Sequence, residues 1–106
     1  MLAAKEGLSL THSIGDAETL VWLFVLLGGA AARRGEAEIG ATLVGVSDAL
    51  SERVGLSLTG VEAELHSSTV ESLHGLLLDE AFESRLAEGR GMSVDEGVEF
   101  ALTTLN

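Results

Sequence analysis

A chain of 106 residues that is 46% apolar can build one core, and it is too apolar for a disordered segment. It has no Cys, which excludes a disulfide framework and a thiolate metal site, and no Pro or Tyr and only four aromatics, which argues against a β-sandwich or barrel. A net charge of −11, most of it in residues 61–106, repels phosphate and so argues against direct binding to DNA, RNA or an anionic membrane.

The first dozen residues contain Leu2, Ala3, Leu8 and Leu10 and read as the tail of a helix. Asp16 is placed to cap a helix from Ala17 to about Arg33, with Arg33 and Arg34 complementing its last carbonyls and Gly35 as a left-handed stop. The apolar run from Leu20 to Ala32 falls short of the roughly 20 residues that cross a bilayer, so it reads as a buried or interfacial helix. With no targeting segment visible, the expectation is a soluble, cytoplasmic chain.

A second helix follows from Glu36 to about Val54, with one stripe of Ile39, Leu43, Val46, Leu50 and Val54, and Gly55 ends it. The short break between the two helices makes them antiparallel neighbours, and small residues at their crossing let the backbones approach. Thr59 with Glu62 spells a capping box for a third helix to about Leu77, with Val61, Leu65, Val70, Leu73 and Leu77 inward. Within it, Ser67, Ser68 and Thr69 read as the solvated side. Asp79 starts a fourth helix with Ala81, Phe82 and Leu86 on its apolar side, and Gly89 to Gly91 read as a turn. Ser93 with Glu96 is a second capping box, opening a last helix that carries Val94, Val98, Ala101 and Leu105 on one face. No segment alternates with period two, so no strand is expected.

The order of signals over residues 15–102 resembles the C-terminal part of the tetratricopeptide-like helical sensor region in bacterial LuxR-type ATP-dependent transcriptional regulators. The motifs that carry this are Arg34-Gly-Glu36, Asp48-Ala-Leu-Ser-Glu-Arg-Val-Gly55, Glu80-Ala-Phe82, Glu88-Gly-Arg90 and Ser93-Val-Asp-Glu-Gly-Val98. Each is weak alone; their order and spacing are more specific. The first helix pair also looks like a degenerate tetratricopeptide repeat, with Leu27-Gly28 on its Leu-Gly pair, Gly40 and Ser47 on small positions and Val44 on the large one between them. It departs from that repeat at Phe24 and Ala31 and in lacking a Pro after the second helix. The resemblance implies an all-α fold, a short stack of about five helices in a single domain over residues 1–106. Residues 13–55 would form the repeat-like pair and residues 56–106 a three-helix cap. No G-x-x-x-x-G-K-[ST] is present and no basic recognition helix, so the resemblance extends to the end of a sensor array and not to its ATP-binding motor or its DNA-binding output.

The function expected is therefore non-catalytic, a protein-interaction or sensory end cap of a bacterial signalling or transcriptional regulator. It needs no cofactor and no metal. The stripe through Leu20, Leu23, Leu27 and Ala30 faces the second helix and leaves Val21, Trp22 and Val25 on another apolar side. In tetratricopeptide arrays the ligand groove is lined by first-helix positions that correspond here to Trp22, Val25, Gly29, Ala32 and Arg33. Val21, Trp22, Val25, Gly29, Ala32 and Arg33 are thus the candidate surface for a protein partner or a second copy. The runner-up is a stand-alone helical bundle that binds a small apolar ligand between helices. An enzyme comes third and would draw on Glu62, His66, Glu71 and His74, but His66 and His74 lack the i, i+4 spacing of a helical zinc pair, and no nucleophile or oxyanion loop accompanies them.

Overall fold

A computed structural model describes residues 17–56 and 60–104. They form five helices and no strand: α1 (Ala17–Arg33), α2 (Ala37–Val54), α3 (Gly60–Leu76), α4 (Asp79–Arg90) and α5 (Val94–Thr104). The all-α expectation holds. The readings on residues 2–12, Asp16, Thr59 and Leu105 lie outside the described residues.

α1 and α2 end in the same device. At α1 the Gly35 amide donates to the Ala32 carbonyl and the Glu36 amide to that of Ala31, with Gly35 at φ 80°. At α2 the Gly55 amide donates to Glu52 and the Leu56 amide to Ser51, with Gly55 at φ 70°. Both are Schellman closures, which satisfy orphaned carbonyls through a left-handed residue that only glycine adopts without strain. The second sequence-read capping box is also formed. The Ser93 hydroxyl accepts from the Glu96 amide at 3.1 Å, and the Glu96 carboxylate accepts from the Ser93 amide at 2.9 Å.

α2 is the central element. It runs antiparallel to α1, since Gly28 meets Gly40 and Val44 while the Ser47 hydroxyl donates to the Val21 carbonyl at 2.9 Å. A Cβ added to Gly40 would lie 2.8 Å from the Gly28 carbonyl oxygen, so the small residues do sit where the two backbones cross. On another side α4 crosses α2 at Gly45 and Gly89, where added Cβ atoms would collide with the Leu86 and Thr42 carbonyls respectively. α5 covers the pair through Gly97, whose missing side chain leaves room for Val46 and the Phe24 ring. α3 lies along α1 and inserts Leu73 against Gly40. Although only two residues join α3 to α4, the two helices touch little: α3 leans on α1 and α4 on α2.

Two apolar clusters result. One gathers Leu20, Phe24, Leu27, Leu43, Val46, Leu50, Val98 and Ala101 from α1, α2 and α5; the other gathers Ala32, Ala41, Val44, Leu73 and Phe82 from α1 to α4.

This arrangement corrects several expectations. α2 is not one-striped, because every residue from Gly40 to Ser47 is buried between neighbours on several sides. Val54 and Val61, expected inward, are exposed: Val54 is the last residue of α2 and Val61 the second of α3, beyond the packed middle of either helix. Gly89 is no turn residue but lies within the last turn of α4, buried against α2. Thr69 is not on the solvated side, being 5% exposed and turned toward Gly29 of α1.

Candidate functional site

α1 and α3 run parallel, because Trp22 lies beside Glu62 at one end of their seam and Gly29 beside Thr69 at the other. The six residues of the candidate surface divide along that seam. Val21 and Val25 are 0% and 1% exposed and Ala32 is 6% exposed, so the apolar flank expected to stand open is already covered within the molecule. The cause is that α1 is apolar almost all round and receives neighbours on more than one side; Ala32, for example, packs with Leu73 of α3. Trp22 remains half-buried, Gly29 is buried with a Cβ-sized gap to the Thr69 hydroxyl, and Arg33 is exposed.

At the N-terminal end of the seam Trp22, Glu18 and Thr19 of α1 and Glu62 of α3 line a hollow of about 380 Å³. Glu18 and Trp22 stand one helical turn apart, which puts the carboxylate and the indole on the same face of α1. Neither Glu18 nor Glu62 makes an ion pair among the described residues. The hollow therefore joins an aromatic face to two uncompensated carboxylates, a chemistry suited to a cation. At the C-terminal end of the seam a larger groove of about 520 Å³ takes in Gly29, Ala32 and Arg33 of the candidate surface together with α3.

A third polar group ties α3 and α4 to α2. The His66 ring bonds the Asp48 carboxylate through Nε2 at 2.7 Å; Arg90 donates to Glu52 at 2.6 Å and approaches Asp48 at 4.0 Å. The hydrogen bond to Asp48 raises the His66 pKa above its ordinary value, burial opposes the rise, and the Asp48 charge adds to it. The hydrogen bond and charge of Arg90 likewise hold the Glu52 carboxyl below its usual range. The nearby Ser51 hydroxyl is engaged by the Leu56 carbonyl at 2.8 Å. This cluster is a structural brace in form, with each strong acceptor matched to a donor on another helix.

The residues an enzyme would have drawn on are not gathered in one place. Glu62 sits with Trp22, His66 with Asp48, and the His74 ring lies against Phe82 with centroids 4.0 Å apart. Among the described residues no three His, Asp or Glu side chains converge as a metal site would need. No described helix is long and apolar enough to cross a membrane.

Sequence reasoning placed Thr69 on the solvated side and gave no site role to Glu18 or Asp48. Two of them carried a local signal: Glu18 is four residues before Trp22, and Thr69 sits at the step of four between Leu65 and Leu73. Asp48 carried none, since its partner His66 is 18 residues away on another helix.

No protein family matches the sequence, and no curated protein and no solved structure matches it either. The likeness to LuxR-type regulators rests on the sequence motifs themselves.

Proposed function

We propose that this chain is a non-catalytic protein-interaction and sensory module, the repeat-like end cap of a bacterial signalling or transcriptional regulator, and that a protein partner docks at the Trp22 end of the α1–α3 seam. The single observation that carries this reading is the hollow in which half-buried Trp22, the only Trp of the chain, meets Glu18 and Glu62. Tryptophan is the side chain that most often dominates binding energy at protein interfaces. The flanking carboxylates and the net charge of −11 set the chemistry of the partner: a helix or loop that presents Arg or Lys over the indole. The same charge disfavours docking of a second copy of this chain, so the partner is a different, basic protein segment.

Trp22 emission reports on the site directly, which makes fluorescence the test. Titration with an arginine-bearing amphipathic peptide is expected to shift the emission saturably, while its glutamate-substituted counterpart leaves it unchanged. Replacing Glu18 and Glu62 together with Gln is expected to weaken the basic peptide by about tenfold, as removal of two charge-assisted contacts does. Equal shifts with both peptides, or none with either, refute the docking site.

A second reading, a helical bundle that takes a small ligand between its helices, is favoured by the groove of about 520 Å³ at the other end of the seam, a size typical of small-molecule sites.

A further inference from the structure

We infer that the α1–α3 groove at Arg33 and Thr69 is a binding site for a small carboxylic acid with a short aliphatic stem. This deepens the second of the two readings above and is independent of docking at Trp22.

The chain has 17 acids and six bases, so a lone base is unusual, and four of the five described arginines are matched. Arg34 pairs with Glu36, Arg85 with Glu38 and Glu88, and Arg90 with Glu52, while Arg53 donates to the Met92 carbonyl. Arg33 alone among them has no ion pair or hydrogen bond. Its side chain folds back along α1, where the absent side chain of Gly29 makes room: a Cβ there would lie 3.6 Å from an Arg33 guanidinium nitrogen. That same Cβ would lie 3.3 Å from the Thr69 hydroxyl of α3. Gly29 thus brings the guanidinium and the hydroxyl to one place on the groove floor.

Thr69 is an exception among the helical threonines. Thr42, Thr103 and Thr104 each donate to the carbonyl four residues back, the usual resolution for a threonine inside a helix. Thr69 is 95% buried, lines the groove, and its hydroxyl has no partner among the described residues. Among the described residues no side-chain oxygen or nitrogen is left both wholly buried and unpartnered, so the Thr69 hydroxyl keeps its access through the groove. Ser68 and Ser72 add two more hydroxyls, and Leu65 and Leu76 make an aliphatic wall. No carboxylate lines the groove.

One guanidinium, converging hydroxyls and an aliphatic wall recognise a molecule with one anionic head and a short apolar tail. The charge count selects a carboxylate over a phosphate dianion. The carbonyl ends of α1 and α3 together bring about one negative charge to this end of the seam, which already balances Arg33, so the second charge of a dianion meets repulsion that a monoanion avoids.

Octanoate, octanol and inorganic phosphate, titrated separately into the ¹⁵N-labelled chain, test this. Octanoate is expected to saturate with the largest amide shifts at Gly29, Arg33 and Thr69, whereas octanol and phosphate bind about tenfold more weakly or not at all. Arg33→Gln, at an exposed position that leaves the fold intact, is expected to weaken octanoate by about tenfold, and Thr69→Val by a few fold. If octanol binds as tightly as octanoate, or Arg33→Gln changes nothing, the anionic site falls while a groove for apolar ligands stands. If neither octanoate nor octanol shifts these amides, the ligand-binding reading falls with it. Phosphate binding as tightly as octanoate overturns the assignment to a carboxylic acid.

Discussion

α2 and α3 are 18 and 17 residues long, yet they are held in opposite ways. From Gly40 to Ser47 every residue of α2 is buried, with α1, α4 and α5 each approaching through a glycine. α3 buries only Thr69 and Leu73, leaves Val61 and Leu76 exposed, and gains its remaining hold from half-buried Leu65 and Val70 and from the bond of His66 to Asp48. Close backbone approach, made possible by glycine, buries more of a helix than a few long side chains do. The element with the thinner hold is the one that forms a wall of both candidate sites. A binding surface that must admit a guest is better built on a helix that can yield than on one locked on every side.

Leu73 is where that contrast breaks first. Leu73→Ala removes the one fully buried leucine of α3 and is expected to cost about 3 kcal/mol in urea unfolding, in the lower half of the range for buried Leu→Ala changes. Amide hydrogen exchange on this variant should accelerate in α3 well before it does in α1 and α2. A uniform acceleration across all three would mean that α3 and the central pair unfold as one unit, and the contrast would vanish.

A pair of glycine substitutions sharpens it. Gly89→Ala drives a methyl into the Thr42 carbonyl of α2, so α4 must shift, with an expected loss of about 2 kcal/mol. Gly75→Ala on α3 meets nothing within 4 Å and is expected to raise stability by up to about 1 kcal/mol, since alanine is the better helix former. Losses of similar size at both sites, measured by thermal unfolding, would show that close approach is not what distinguishes α2 from α3.

The smallest expected effect is the pH dependence of the α2–α3 link. The folded His66 pKa lies above the unfolded value, so the bond to Asp48 contributes fully below about pH 6.5 and is lost as pH rises through the folded value. Asp48, with Arg90 and Glu52 behind it, is the charge that His66 faces on α2 and α4, and Glu62 stands one turn before it on α3. Unfolding midpoints are expected to fall as pH rises above about 6.5 in the parent and to fall less in Asp48→Asn. The same slope in both proteins would mean that His66 is not its source.

Local signals were legible to the residue. Gly35 and Gly55 stop their helices, Ser93 and Glu96 cap the last one, and Gly28 meets Gly40, because each of these depends on neighbours a turn away or on one crossing between adjacent helices. The candidate site was half legible. Trp22, Gly29, Ala32 and Arg33 all lie on the α1–α3 seam, yet Val21 and Val25 are buried, and the polar partners Glu62 and Thr69 come from a helix some 40 residues on.

Periodicity, caps and glycine stops are short-range properties, and from them the chain alone determined five helices, their approximate ends and the antiparallel first pair. Only the tertiary structure decided which face of an all-round apolar helix is covered, that α4 seats on α2 at Gly45 and Gly89, and that Thr69 turns inward toward Gly29. The reason is physical: burial is set by what arrives from distant parts of the chain, and a helix that is apolar on every side carries no mark of which side will be left open.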